Sequence, residues 1–163
     1  MNSSRAQHGD LIAVTGQLGC LIEKKVTSDK SLESNNIDHF LPSSLIQKIQ
    51  SFANISSDNS KGLMSSLRGV CQVSHVGAKI SLEQLPVNQQ LKNDSPEWSS
   101  LALFTGNVDQ ICFTFTVNNL FKLPDNCTVI GQMGCGDQVR VFSNNQEVSI
   151  KDNQGVLHCK TVD

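Results

Sequence analysis

The apolar positions of this chain repeat with two periods, and each marks a different kind of element. Leu11-Ile12-Ala13-Val14 lies between Gly9-Asp10 and Thr15-Gly16, a short buried run that predicts a strand feeding a glycine turn. Ala78, Ile80 and Leu82 alternate with Lys79, Ser81 and Glu83, which predicts a half-buried strand that Pro86 ends. The clearest strand is Gln110 to Val117, with Ile111, Phe113, Phe115 and Val117 on one face and Cys112, Thr114 and Thr116 on the other. The tail predicts more β-structure: Cys127 to Met133, Gln138 to Phe142, a turn at Asn144-Asn145, and Glu147 to Ile150.

Helical spacing occupies the stretches between. Leu45, Ile46, Ile49, Phe52 and Ala53 share one helix face and predict a helix from Pro42 to Ala53, capped by Ser43 or Ser44. The same spacing at Leu63, Met64, Leu67, Val70 and Cys71 predicts a second helix that Gly77 would end in a left-handed cap. Ser95-Pro96-Glu97 supplies a cap, a first-position proline and an acid ahead of Trp98, Leu101 and Ala102, so a short third helix is expected. From Glu23 to Asp38 the chain is polar without periodicity, as in a surface loop or frayed helix. Strands and helices mixed in this order imply α+β or α/β layering around one sheet, with no internal repeat.

With 163 residues and 38% hydrophobic content, the chain can bury one core and is read as a single domain, 1–163. A net charge of −2 with 17% charged residues offers no basic field for nucleic acid. The longest apolar runs fall far short of the roughly 20 residues that span a bilayer, and Met1 to His8 lack the features of a secretory signal, so a cytoplasmic location is expected. Six cysteines (Cys20, Cys71, Cys112, Cys127, Cys135, Cys159) without a CxxC pair read as free thiols, and four histidines at no ligand spacing give no zinc motif. Three sequons, at Asn2, Asn54 and Asn126, are chance matches on this reading.

Four segments carry a resemblance to a known family. Gly9-Asp10-Leu11-Ile12-Ala13-Val14-Thr15-Gly16-Gln17-Leu18-Gly19 is similar to the "GD-x-hydrophobic-x-VTG-x-LG" strand of thiamine-monophosphate kinases. Asp58-Asn59-Ser60-Lys61-Gly62-Leu63 resembles that family's "DISDGL" motif, and Gly77 to Pro86 its "GAEIDLDALP" strand. Leu103-Phe104-Thr105-Gly106-Asn107-Val108-Asp109-Gln110-Ile111-Cys112-Phe113-Thr114 resembles "TGGEDYELCFT", with one position deleted. Ile130-Gly131-Gln132 and Gly155-Val156-Leu157-His158-Cys159 resemble the closing "IG-x-hydrophobic" and "GWDHF" segments. The match runs from about residue 6 to residue 160 and lies on the family's second half.

The resemblance implies the C-terminal domain of the aminoimidazole ribonucleotide synthetase-like fold, an α+β, three-layer α/β/α-like arrangement of a mixed sheet with helices. It implies transfer of phosphate from ATP to thiamine monophosphate, with Mg2+ and ATP held mainly by an N-terminal domain that is expected to be absent from this chain. The expected partners are that N-terminal kinase domain or a second copy of the chain, with thiamine monophosphate as the small-molecule substrate. Carried over residue by residue, the match points to Gly16, Gly19, Ser60, Lys61, Thr105, Gly106, Asp109 and His158 for substrate or phosphate and to Asp58 for metal. Lys61 stands where the motif has its second aspartate, and an ammonium cannot ligate a divalent cation; it could only face a phosphate as a point charge. Each residue also has a plain reading. Asp58 would cap a helix, Asp109 would open a strand from a turn, the glycines would serve strand-ending turns, and His158 would pack near the terminus. Three functions follow: half of a split kinase inactive alone, a decayed remnant, or a module that binds a phosphorylated small molecule or a partner protein.

Overall fold

The alternation read near residues 110–117 puts Ile111, Phe113, Phe115 and Val117 on one side of a strand and Cys112, Thr114 and Thr116 on the other. In the computed structural model, which describes residues 5–19 and 41–150, that strand is indeed buried on both faces. The described elements run in the order β1 (Leu11–Thr15), α1 (Ser43–Gln50), β2 (Ala53–Asn59), α2 (Leu63–Ser74), β3 (Gly77–Ser81), α3 (Gln89–Asp94), α4 (Trp98–Phe104), β4 (Asn107–Phe115), β5 (Cys127–Gly134), β6 (Val139–Ser143) and β7 (Gln146–Val148). Short 3-10 turns cover Leu82–Gln84 and Val117–Lys122. The strands form one mixed sheet in the order β2-β4-β1-β5-β3-β6-β7, antiparallel throughout except where β3 lies parallel to β6.

Alternate residues of the central strands face two separate cores. Ile12, Val14, Cys112, Ile130, Ile80 and Val141 pack with the apolar faces of α2 (Leu63, Met64, Leu67, Val70) and α4 (Ala102, Leu103). On the opposite face Ala13, Phe113 and Phe115 pack with Ile49 of α1 and Phe52 just beyond it. Phe52 meets both β4 phenylalanines edge-on, with ring centroids 5.9 and 5.6 Å apart, the geometry the aromatic quadrupole favours. Helices therefore cover both faces, and the expected layered α/β arrangement around a mixed sheet is present.

The structure departs from the sequence reading at several boundaries. Helix α1 ends at Gln50, because Ser51 closes it with hydrogen bonds back to the Gln47 and Lys48 carbonyls, and the chain then turns into β2. Ala53, read as helical, is the first residue of that strand. Strand β2 (ANISSDN) escaped prediction because it lies at the sheet edge, where little of it is buried and polar side chains are tolerated. Helix α2 is ended by His75 in the left-handed conformation, with φ of 57°, so Gly77 is free to begin β3. Asn88 caps the unpredicted α3, its side chain accepting from Gln90 N at 2.8 Å. Val117 lies beyond β4 and is exposed. The polar stretch from Glu23 to Asp38 lies outside the described residues.

Glu83, in the turn after β3, ties the far edge of the sheet together. Its carboxylate accepts from Ser81 Oγ at 2.7 Å, from Ser143 Oγ at 2.8 Å and from Asn144 N at 2.9 Å. Ser143 ends β6 and Asn144 opens the turn to β7, where Asn144 and Asn145 both take positive φ, as such tight hairpins require. The two serine hydroxyls are the main reason the Glu83 carboxyl is held down at about 2. A depressed carboxyl stabilises the fold above its unfolded pKa, and that contribution is lost as pH falls from about 4.5 towards 2. Because the side chain is exposed, solvent screening reduces the effect to about 1 kcal/mol or less. Glu83→Gln should accordingly melt slightly below the parent at pH 7, and thermal melts should show the difference vanishing as pH is lowered through that window.

Candidate functional site

Strand β4 runs antiparallel to both β1 and β2, so the C-terminal ends of β1 and β2 and the start of β4 lie at one end of the sheet. These ends carry three of the four segments singled out in the sequence. Thr15 Oγ1 accepts from Ile111 N at 3.0 Å. Gln110 donates through Nε2 to the Gln17 carbonyl, and its Oε1 accepts from Asn59 Nδ2 at 3.1 Å. Gln110 and Asn59 are both buried, so losing either would strand a polar group, at a cost of about 1–3 kcal/mol. Sequence reading passed over this pair, since an amide at a strand end carries no signal until its partners are known.

Asp58 is exposed in β2 rather than capping α2; the residue ahead of that helix is Gly62. Its Oδ1 accepts from Ser60 N at 3.0 Å and from the Ser60 hydroxyl, and its backbone carbonyl accepts from Ser66 Oγ at 2.7 Å. The Ser60 hydroxyl first, then the Ser60 N–H, hold the Asp58 carboxyl below the usual carboxylate range, with a smaller pull from the neighbouring Lys61 ammonium. Together these residues line an open polar groove of about 190 Å³ bounded by Ser57, Asp58, Ser60, Lys61, Ser65 and Ser66. The groove lies against the first turn of α2, whose backbone dipoles place partial positive charge there.

Two glycines let the chain come this close. Gly62 has a φ of 94°, and a Cβ on it would fall 2.7 Å from the Phe104 carbonyl oxygen. A Cβ on Gly106 would fall 1.8 Å from the Ser60 carbonyl oxygen, so the loop from Thr105, which closes α4, presses directly on the loop carrying Ser60 and Lys61. Asp109 lies inside β4 rather than in a turn ahead of it; its N–H donates to Asn107 Oδ1 at 2.9 Å. Between the pairs Asn59↔Asn107 and Asp58↔Ile111 the register slips, so Asp109 sits in an irregular bulge facing the end of β2. Gly16 has φ of 64° and adjoins Gln110, whereas Gly19, with φ of 79°, is buried against Leu91 of α3. Asp58, Ser60, Lys61, Thr105 and Gly106 are thus brought together, Gly16 and Asp109 join them through β4, and Gly19 points elsewhere. His158 lies outside the described residues.

The donor set does not make a magnesium site by itself. Among the described residues no three carboxylate, imidazole or thiol groups cluster closely enough to hold a metal ion. The groove offers one carboxylate, already engaged by Ser60 and flanked by an ammonium. What the arrangement can do is meet an anion, with Lys61, serine hydroxyls and the start of a helix on one side. No helix among the described residues is long and apolar enough to cross a membrane.

Comparison with known proteins gives a consistent picture. No family model matches the chain. A thiamine-monophosphate kinase of Buchnera aphidicola subsp. Schizaphis graminum is 30% identical over 94% of this chain and 54% of its own length. The chain spans about half the length of the curated relatives it matches. Among solved structures, thiamine monophosphate kinase from Aquifex aeolicus is 27% identical, with a TM-score of 0.68 over 91% of this chain and 54% of its own. A ThiL structure complexed with AMPPCP and TMP is 26% identical, with a TM-score of 0.68 over 96% of this chain and 53% of its own. The chain is thus ThiL-like over the C-terminal portion of those proteins, in sequence and in fold.

The contact between Gly106 and Ser60 makes a direct prediction. Gly106→Ala should force the two loops apart and cost about 1–3 kcal/mol, read as a lower midpoint of urea unfolding. Hydrogen exchange should speed up at residues 59–62 in the same variant.

Proposed function

We propose that this chain, similar as it is to the C-terminal portion of thiamine-monophosphate kinase, forms the thiamine monophosphate-binding half of such a kinase. The observation that carries this reading is the convergence at one sheet end of the segments around Gly16, Asp58 to Leu63 and Thr105 to Asp109. Phosphoryl transfer relies mainly on positioning and on neutralising charge, with little covalent work for the protein. In this reading the groove at the start of α2 takes the substrate phosphate. Lys61 faces it as a cation and Ser65 offers its hydroxyl, while Ser60 stays bound to Asp58 and the network of Asn59, Gln110 and Gln17 keeps the loops in place.

ATP and magnesium would be held by the other half of the kinase, whether joined to this sequence or supplied as a separate chain. A single carboxylate beside Lys61 cannot bridge metal ions between phosphates, so this half would not turn over substrate unaided. The same feature favours a second reading, in which Lys61 has retuned the site to hold a phosphorylated small molecule without turnover.

Calorimetric titration separates the two. A half-enzyme should bind thiamine monophosphate, bind AMPPCP with magnesium only once the N-terminal half of a related kinase is added, and then form thiamine diphosphate from ATP. Asp58→Ala should release the Ser60 loop and lower thiamine monophosphate affinity about tenfold. Binding without turnover in the reconstituted mixture would favour the binding module, and no binding to either preparation would defeat both readings.

A further inference from the structure

The described cysteines divide sharply. Cys71, Cys112 and Cys127 are buried, and burial pushes their thiols up to about 11, 12 and 11, so they stay protonated and unreactive near neutral pH. Cys135 is exposed. It follows β5 and stands between Gly134 and Gly136, neighbours without side chains to crowd it. Its Sγ lies 3.4 Å from Nε2 of His8, a residue 127 positions away in sequence.

That pairing is held by backbone geometry. Gly9 N donates to the Met133 carbonyl at 2.9 Å, Met133 N donates back to the Asp10 carbonyl at 2.7 Å, and Gln132 Nε2 donates to the Gly9 carbonyl at 3.1 Å. On the other side of His8, Ala6 N donates to Ser74 Oγ at 2.8 Å, and Gln7 N to the buried Asp10 carboxylate at 2.9 Å. The segment bearing His8 is therefore laid along the end of β5 and fixed on both flanks. A thiol within hydrogen-bond reach of an imidazole can pass its proton to that ring, and the thiolate is the nucleophile.

We propose that Cys135, with His8 as its base, is a thiol-modification site that takes low-molecular-weight disulfides. His8 Nε2 receives the Cys135 proton, and the thiolate attacks one sulfur of the disulfide. A Cys135–S–S–R bond forms as the S–S bond of the reagent breaks, and the departing thiolate takes the proton from His8 and leaves as RSH. Cys135 is oxidised and half of the reagent is reduced, so no further oxidant is needed. The site stands apart from the groove at α2 and does not depend on the proposed function.

The test uses the full chain with Cys20 and Cys159 changed to serine, exposed to oxidised glutathione at pH 7 and followed by intact mass and peptide mapping. One glutathione should add, at Cys135, and Cys135→Ser should take up none. His8→Gln should react about three- to fivefold more slowly, since no imidazole then lies within reach of Cys135 Sγ to take the proton. His8→Asn, of different size, should show the same slowing, with both variants melting within a degree or two of their parent on the scale that small surface changes produce. Modification at Cys71, Cys112 or Cys127 in preference to Cys135, or unchanged rates in both His8 variants, would overturn the proposal.

Discussion

The burial of β4 on both faces is the constraint from which the remaining geometry follows. Phe113 and Phe115 pack under Phe52 and Ile49, while Cys112 faces the core beneath α2 and α4. Each buried phenylalanine contributes about 1.5–3 kcal/mol, and a one-residue slip would drive both into the wrong core. A strand so fixed also fixes its neighbours, because β1 and β2 are hydrogen-bonded to it on either side. The end of the sheet where β4 begins is consequently rigid, and there Gln110 reaches one neighbour through Gln17 and the other through Asn59.

Loops attached to that end can come closer together than side chains would allow. Glycine at 62 and 106 lets the segment after β2 touch the segment before β4 backbone to backbone. The groove this leaves is polar and open, with its positive character supplied by Lys61 and the first turn of α2 and its one carboxylate occupied by Ser60. Such a surface suits a phosphate better than a bare metal ion, and under the proposed function the metal-dependent half of phosphoryl transfer falls to the part of a kinase that this sequence does not match.

Much of this was legible in the sequence, for reasons that differ by element. β4 and α2 could be read because burial dictates their periodicity, and β1 because its run ends in a glycine turn. The family motifs pointed to Ser60, Lys61, Thr105 and Gly106, which the structure brings together. What the sequence did not disclose depends on pairing between distant segments. β2 is polar because it is an edge, Asp58 sits in that edge strand instead of capping a helix, and Asp109 lies in a bulge within β4 instead of a turn. The Asn59–Gln110 bond joins residues 51 positions apart and has no local signature.

Whether the groove at the start of α2 takes the substrate is decided by a two-dimensional NMR titration of the labelled chain with thiamine monophosphate, following backbone amides. Shifts should concentrate at Gly16 to Leu18, Ser60 to Ser66 and Gly106 to Gln110, with the far edge around Glu83 and Asn144 undisturbed. Shifts confined to other surfaces, or none at ligand concentrations that saturate a related full-length kinase, would contradict a substrate site in the groove.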